Sequence, residues 1–357
     1  MKLSLSLQNF RSYTHCAFSL DTWHVGLWGD NGAGKTNCLE ALSLFAPGRG
    51  FHRSSLTHMA KRGSPTWSVR MTYEDSDGPL EFQTLTLENQ PQKRQIYRNQ
   101  VPLKTQWSLQ EDIQILWSTP AMQTLFSHTS SVRRDAFHRF ISTVFPEYGP
   151  CLTRYLSAMR ERMRGLMDPE FSPLWLESLE HQMAQCALKI GSWQKEWSRR
   201  MNILVTDHID TAFSQPMYHL PQEKENLSAQ DYQQKLCSMR FHDRKACKTL
   251  WGVHRHNIEV YHPQGSEAKD TSSGQQKSLL LSTILGLAWW MSCQKDKISL
   301  LLLDDVMAHL DGVHREALLA EVKKLSMHVW MTGTDQSFFQ SLEPEARWCV
   351  REGTVQR

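Results

Sequence analysis

The sequence lacks any close pairing of cysteines. Its eight cysteines are scattered over 357 residues, with no C-x-x-C and no spacing typical of metal ligands. This pattern argues against a disulfide-stapled secreted fold and predicts thiols in a reducing compartment. Excess charge of one sign is also missing, since 40 Lys and Arg against 37 Asp and Glu give a net charge of +3. A nucleic-acid surface would therefore have to be a local patch.

We expect neither a leader nor a membrane segment from the sequence pattern. Met1–Leu5 alternates like a strand and lacks the apolar segment of a signal peptide. The uncharged stretch Ser278–Cys293 includes Ser, Thr and Gly and is shorter than the ~18–20 apolar residues that cross a bilayer. These absences predict a cytoplasmic protein without a membrane segment.

What the sequence does contain is a phosphate-binding loop. It follows the short apolar segment His24–Trp28, precedes a helix-like segment, and matches G-x-x-x-x-G-K-[ST] with Gly29, Asp30, Asn31, Gly32, Ala33, Gly34, Lys35 and Thr36. Glycines let backbone N–H groups converge on a phosphate, and the helix N-terminus adds partial positive charge. Lys35 is expected to reach the β- and γ-phosphates of ATP, and Thr36 to bind Mg²⁺. The alternative, a glycine-rich turn that contains GKT by chance, is disfavoured by this strand–loop–helix context.

A pair of carboxylates follows a second buried strand. Ile298–Leu303 is a continuous apolar run, typical of a strand covered on both faces of a parallel sheet, and it ends in Asp304 and Asp305. We expect Asp304 to bind Mg²⁺ and Asp305 to orient or deprotonate the attacking water. The alternative is an acidic strand end that caps the next helix.

A third motif lies upstream of these acids. Ser272, Gly274 and Gln275 belong to Ser272–Lys277 at the head of an apolar helix, where a Ser-x-Gly-Gln element forms an anion site. Phosphate loop, Ser-x-Gly-Gln and acid pair, in this order, are the arrangement of ABC-type ATPase heads. In such heads the Ser-Gly element of one protomer closes over the nucleotide of the other. The motifs predict an α/β fold with an ABC-type P-loop head, and an ATP-bridged homodimer.

Most of the chain separates the two halves of this site, which predicts a head split by an insertion. Strands are predicted over 3–28, 67–73, 80–87, 96–103 and 113–117, with a turn at 75–78. Apolar stripes at 152–166 (Leu152, Leu156, Met159, Met163, Leu166) and 176–204 predict a short antiparallel helical hairpin, and residues 221–231 a polar linker. The predicted domains are an N-terminal ATPase lobe (1–125), a helical lobe (126–235) and the C-terminal part of the ATPase head (236–357).

With these motifs the chain resembles the RecF family of bacterial recombination-mediator ATPases, which are related to SMC proteins. The similarity runs nearly end to end and rests on an ordered set of segments: Asn9–Arg11, the phosphate loop, Gly48–Arg53, Thr119–Pro120, Val132–Phe137, Gly252–Arg255, Ser272–Lys277 and Asp304–Asp311. Three positions depart from the family pattern: Ala121, Val253 and His309. Thr334 occupies the place of the switch histidine of transporter ATPases, and Gln114 is the candidate for the Q-loop glutamine.

The resemblance implies an enzyme, a weak DNA-stimulated ATPase that uses ATP and Mg²⁺. It implies binding to double-stranded DNA or single-strand/duplex junctions, ATP-dependent dimerisation, and action with RecO and RecR to load RecA at gaps. Hydrolysis would be slow and coupled to release of DNA. It also places Arg11 among the nucleotide-binding residues.

Two other functions stay open. An ABC transporter subunit is disfavoured by the long insertion and the missing switch histidine. An SMC-like structural protein with vestigial hydrolysis is disfavoured by the shortness of the helical stripe. For DNA, we expect salt-sensitive phosphate contacts without base readout. The candidate residues are Lys61, Arg62, Lys93, Arg94, Arg98, Arg133 and Arg134, together with the helical-lobe cations Arg154, Arg160, Arg162, Arg164, Lys189, Lys195, Arg199 and Arg200.

Overall fold

The protein was analysed as a computed structural model, which describes residues 2–76, 78–221 and 227–356. It divides into two compact units. Unit 1 comprises Met1–Gln123, His208–Phe213 and Leu280–Arg357, and unit 2 comprises Thr124–Asp207 and Ser214–Leu279. The predicted domain limits at 125 and 235 stay a prediction; residues 236–279 pack within unit 2.

The regular elements follow one another in mixed α/β order. The strands are β1 (Lys2–Phe10), β2 (Tyr13–Leu20), β3 (His24–Trp28), β4 (Ser68–Asp75), β5 (Gly78–Leu87), β6 (Gln90–Arg98), β7 (Val101–Pro102), β8 (Ile113–Ser118), β9 (Met217–His219), β10 (Glu259–Tyr261), β11 (Ile298–Leu303), β12 (His328–Gly333), β13 (Arg347–Arg351) and β14 (Thr354–Gln356). The helices are α1 (Lys35–Ser43), α2 (Leu56–Met59), α3 (Ser130–Val144), α4 (Tyr148–Met167), α5 (Pro173–His208), α6 (Ala229–Ala246), α7 (Ser273–Ser292) and α8 (Gly312–Lys324).

Two larger sheets belong to unit 1. The antiparallel sheet has the order β2-β1-β4-β5-β6-β7, and the mixed sheet has the order β14-β13-β3-β12-β11-β8. In the mixed sheet, β13, β3, β12, β11 and β8 pair in parallel. Because parallel strands end at the same edge of a sheet, the segments that follow β3, β12 and β11 meet there.

Helix α1 and the two sheets share one apolar core. Leu3, Leu5 and Leu7 alternate along β1 and are buried, which is the period of a half-buried strand. Phe18 of β2 lies with its ring centroid 5.7 Å from that of Trp330 and 5.8 Å from that of Trp348. This packing fixes the antiparallel sheet against the strands that carry the phosphate loop.

Unit 2 contains the predicted helical hairpin. At one end the Gln194 Nε2 of α5 donates to the Tyr148 hydroxyl of α4 (3.2 Å), and at the other end the Trp175 Nε1 of α5 donates to Glu161 of α4 (2.9 Å). These contacts run in opposite directions along the two helices, so the hairpin is antiparallel, as predicted.

Of the five residues in the predicted apolar stripe of α4, only Leu166 is buried. Leu152, Leu156, Met159 and Met163 are only half-buried, and the fully buried face instead carries a polar residue, Arg162. The Arg162 guanidinium pairs with Glu180 (2.9 Å) and Asp243 (2.7 Å), each completely buried. A buried ion pair places charged residues on the buried face of a helix. A search for periodic apolar residues does not detect such positions.

The predicted strands in unit 1 are confirmed, and the 96–103 hairpin turns at Asn99 and Gln100, both with positive φ. Residue 77 of the predicted turn and residues 222–226 of the predicted linker lie outside the described residues. The linker prediction is wrong from residue 229 onward, because Ser228 and Asp231 form a capping box that starts α6. In the described ranges we find no helix long and apolar enough to cross a membrane.

Candidate functional site

The phosphate loop needs glycine at specific positions. Gly29, Gly32 and Gly34 have φ values of 147°, 82° and 115°, a region that side-chain-bearing residues rarely adopt. A Cβ on Gly29 would lie 2.3 Å from the Val350 carbonyl oxygen, and one on Gly34 would lie 2.9 Å from the Tyr13 hydroxyl. The loop is thus enclosed by β2 and β13, and its backbone conformation is set by its surroundings.

Lys35 folds back over the same loop. Its Nζ donates to the carbonyl oxygens of Gly29 (2.6 Å) and Asp30 (2.8 Å). Burial lowers the pKa of Lys35, and the carboxylates of Asp305 and Asp304 raise it again. An ammonium has three donors, so one remains for a phosphate oxygen.

Asp304 joins the two halves of the predicted site. The hydroxyl of Thr36 donates to Asp304 Oδ1 (2.9 Å), and the hydroxyl of Thr332 donates to the same atom (2.9 Å). Asp304 is 4% exposed, and this burial raises the pKa of its carboxyl group. The hydrogen bonds from the two hydroxyls lower that pKa and offset part of the effect of burial.

The oxygens of Thr36 and Asp304 fit the magnesium ion that the sequence predicts. Mg²⁺ prefers hydroxyl, carboxylate and phosphate oxygens, and commonly takes only one or two ligands from the protein in nucleotide sites. The described residues hold no cluster of three or more His, Cys, Asp or Glu that could bind a metal.

Thr332 is a site residue that the sequence analysis missed. It is buried at the end of β12, and its hydroxyl oxygen also accepts a hydrogen bond from the Asp305 backbone N–H (2.8 Å). Asp305 has φ 50°, and its side chain is half-buried. The sequence feature that could have revealed Thr332 is a polar residue near the end of an apolar strand, two residues before Thr334. Thr334 itself is exposed directly after β12, at the edge expected for a switch residue.

Arg11 contacts α1, the helix that follows the phosphate loop. Its guanidinium forms a bidentate pair with Glu40 of α1 (2.7 and 2.6 Å) and also donates to the His58 carbonyl oxygen (2.9 Å) and Ser54 (2.7 Å). Glu40 is completely buried. Arg11 therefore fixes the helix that carries Lys35 and Thr36, and direct contact with nucleotide stays a prediction.

The Ser-x-Gly-Gln element lies in unit 2 at the start of α7. Ser272 Oγ accepts a hydrogen bond from the Gln275 N–H (3.3 Å), and the Gln275 side chain accepts one from the Ser272 N–H (3.0 Å). Ser272 and Gly274 are exposed. The serine hydroxyl caps its helix through an oxygen lone pair, so its O–H can still donate to an external phosphate.

Gln276, which follows this element, was not predicted as a site residue and is buried. Its Nε2 donates to the carbonyl oxygens of Lys269 (3.3 Å) and Thr271 (3.1 Å), and its Oε1 accepts from Ser127 Oγ (2.7 Å). These bonds hold the segment that presents Ser272.

The suggestion of Gln114 as the Q-loop glutamine is wrong. Gln114 lies near the amino end of β8, paired in register with Ser299, whereas the site lies past Leu303 at the other end of β11. Its side chain is buried and donates to Gln294 (2.6 Å).

Many cations of the predicted basic patches bond to other groups of the protein. Arg94 donates to the Gly48 carbonyl oxygen (2.9 Å), Arg98 pairs with Asp112 (2.7 Å), and Arg199 and Arg200 pair with Glu196. Arg162 is completely buried, so its predicted contact with DNA is excluded in this fold. Exposed helical-lobe cations include Arg154, Arg160, Arg164, Lys189 and Lys195.

Known proteins are similar in sequence to nearly the whole of this chain. The family described as RecF/RecN/SMC N terminal domain matches residues 3–352. A protein of Rhizobium rhizogenes named DNA replication and repair protein RecF is 34% identical over 355 residues, which cover 96% of this chain and 95% of that protein.

Two solved structures share the fold. The recombination mediator protein RecF-ATP in the RecFOR pathway has a TM-score of 0.84 at 20% identity, over 99% of this chain and 96% of that one. An Smc head domain with an extended coiled coil, bound to the C-terminal domain of ScpA and derived from Pyrococcus furiosus, has a TM-score of 0.54 at 13% identity, over 100% and 96%. The predicted α/β class and ABC-type head with a helical lobe are confirmed.

Proposed function

Because the chain belongs to the RecF family, within the RecF/RecN/SMC N-terminal domain proteins, we propose that it is an ATP-dependent DNA-binding protein of replication and recombinational repair. ATP binding closes two copies on double-stranded DNA or on a single-strand/duplex junction, and slow hydrolysis releases them. The protein works in the cytoplasm with partners equivalent to RecO and RecR to load RecA on gaps. The transporter alternative is not favoured by these relatives.

One observation carries the proposal. The hydrogen bond from Thr36 to Asp304 joins residues from opposite ends of the chain at one edge of the sheet (2.9 Å). A glycine-rich turn that contains GKT by chance, or an acid that merely caps a helix, would not require this contact. It supports a complete nucleotide site rather than two unrelated motifs.

Each residue then has a distinct role in ATP turnover. The N–H groups of Gly29–Thr36 and the Lys35 ammonium bind the phosphates, and Thr36 and Asp304 hold Mg²⁺. Bound Mg²⁺ neutralises charge on the β- and γ-phosphates. Asp305, on the same edge, orients the attacking water or accepts its proton. Ser272 of a second copy donates its O–H to the γ-phosphate, which makes dimerisation depend on ATP.

The first test is Lys35→Met. Loss of the cation is expected to lower ATP affinity by at least tenfold and to abolish ATP-dependent dimers, measured by fluorescent-nucleotide binding and sedimentation. Normal ATP-dependent dimerisation of this variant would contradict the proposal.

The second test is Ser272→Arg, in which the long cation blocks the interface. ATP binding by the monomer should stay within about twofold of the wild type, while dimers and DNA-stimulated turnover are lost. Ser238→Arg, at an exposed serine of α6, is the matched control. If Ser272→Arg instead abolishes ATP binding by the monomer, the assignment of Ser272 to the partner's nucleotide is wrong.

A further inference from the structure

Two arginines from distant parts of the sequence converge on one face of unit 2. Arg134 belongs to α3, and its Nη1 donates to the side-chain oxygen of Asn257 (2.9 Å). Asn257 lies two residues after Arg255, in the segment that leaves the short turn Val253–Arg255. The amide thus fixes the Arg134 guanidinium on the segment that carries Arg255.

Within the described ranges, no Asp or Glu lies within ion-pair distance, 4.0 Å, of Arg134 or Arg255, in contrast to Arg98, Arg162 and Arg199. The two charges also act on each other. Burial lowers the pKa of Arg134, the charge of Arg255 lowers it further, and the nearby Asp135 only partly opposes this.

The neighbouring histidines add little charge of their own near neutral pH. The neighbouring histidines are held mainly in the neutral form, since burial lowers the pKa of His254, and lowers that of His256 to about 4. Arg133 lies beside Arg134, where its Nη1 donates to the His128 carbonyl oxygen (2.6 Å). Fixed like charges without an anion repel one another, and a bound phosphate would remove that repulsion.

The segment that presents Arg255 is rigidly supported. The Tyr155 hydroxyl is bonded to the Tyr232 hydroxyl (3.2 Å) and to His254 Nδ1 (3.1 Å), and Tyr232 also accepts from the Val253 N–H (3.1 Å). A Cβ on Gly252 would lie 2.3 Å from the Tyr155 oxygen, so this turn packs directly on α4 and α6. Preorganised cations lose little side-chain entropy on binding an anion.

We infer that Arg134 and Arg255 together form a contact site for the DNA backbone, each binding a phosphate. This inference rests on the proposed function and selects one surface among the basic patches that the sequence offered. The partner is a polyanion with regularly spaced phosphates, and phosphate contacts of this kind position the DNA without reading its base sequence. Arginine suits this role, since its fork-shaped donor set matches phosphate oxygens.

The test measures DNA affinity of the full chain with ATP, over a range of salt concentrations. Arg134→Gln and Arg255→Gln should each weaken binding to a duplex by about three- to tenfold at low salt. The double variant should reduce the slope of log K against log [salt] by about two, because ~0.9 counterions are released per neutralised phosphate. Arg134→Lys, which keeps the charge, should restore most of the affinity.

The matched control removes two charges elsewhere on the same unit. Arg244→Gln with Lys245→Gln changes two exposed cations of α6 and should leave the salt slope unchanged. Thermal unfolding of each variant establishes that it is folded, and Arg134→Gln can still donate to Asn257.

Different outcomes distinguish a failure of the proposed function from a failure of this inference. If the wild-type protein binds no DNA, the proposed function fails. If it binds DNA and the Arg134/Arg255 double variant keeps the full salt slope, while Arg154→Gln with Arg164→Gln lowers it, the inference fails and the outer face of α4 is the contact surface. Loss of ATP-dependent dimers without DNA in the double variant would also overturn the inference, because the arginines would then act on nucleotide.

Discussion

At the scale of single residues, Thr332 connects the Asp304 carboxylate to the backbone of Asp305. One hydroxyl donates to Asp304 and accepts from the Asp305 backbone N–H, at 2.9 and 2.8 Å. The same Asp304 oxygen is bonded to Thr36, so the hydroxyls of Thr36 and Thr332 determine where that carboxylate points. We therefore treat Thr332 as a positioning residue for ATP hydrolysis.

Replacing Thr332 by Val tests this role with little change in volume. Asp305 N–H loses its acceptor and Asp304 loses a donor, which should cost about 1–3 kcal/mol of stability. We expect kcat for ATP to fall by roughly tenfold, with a smaller change in KM. Thr332→Ser keeps the hydroxyl and should retain most of the turnover. Equal kcat in the Val and Ser variants would show that the hydroxyl has no part in positioning the acids.

At the scale of elements, the turn between β13 and β14 supports the phosphate loop. The Gly353 N–H donates to the Ala33 carbonyl oxygen (3.2 Å), and the Val350 carbonyl oxygen occupies the space beside Gly29. Gly353 has φ 73°, and a Cβ there would lie 2.8 Å from the Ser12 carbonyl oxygen. The β13–β14 hairpin thus forms part of the wall of the proposed nucleotide site.

Gly353→Ala should therefore displace the loop and weaken ATP binding by roughly threefold to tenfold, measured by titration with a fluorescent nucleotide. Gly63→Ala is a matched control, because Gly63 has φ 89° but no atom within 4 Å of its Cβ position. Both variants carry the same backbone strain. An equal loss of ATP affinity in the two would mean that strain, not contact with the loop, is responsible.

At the scale of the whole molecule, histidines with lowered pKa values make stability depend on pH. Burial lowers the pKa of His138, His256 and His328 to about 4. In the unfolded chain these groups titrate near 6.5, so between about pH 6.5 and 4 the unfolded state binds more protons. Stability is therefore expected to fall as the pH decreases through this window, by up to ~3 kcal/mol per histidine.

The thermal unfolding midpoint, measured from pH 7.5 to 4.5, checks this expectation. His256→Gln keeps a group able to bond to Gln194, the present partner of His256 (3.2 Å). It removes one titration, so its midpoint should decline less between pH 6.5 and 4.5 than that of the wild type. A decline of the same size in both proteins would assign the acid sensitivity to other groups.

Much of this molecule could be predicted from local patterns. The phosphate loop and the apolar strand before Asp304 are each specified within about ten consecutive residues, because glycine φ preferences and strand burial act locally. The order of the motifs was sufficient to indicate an ABC-type head, and the second helical stripe placed α5 almost as observed. The contacts of charged side chains were much less predictable, because the groups that neutralise each charge lie far away in the sequence.

The sequence by itself determined that the chain has a nucleotide-binding head interrupted by a helical insertion. Only the tertiary structure decided that Arg162 is a buried ion-pair residue, that Arg11 braces α1 through Glu40, and that Thr332 positions the acids. It also decided which cations are left for an external anion. The physical reason is the same in each case: a local pattern sets backbone conformation and burial, whereas the partner of a charge is fixed only when distant segments meet.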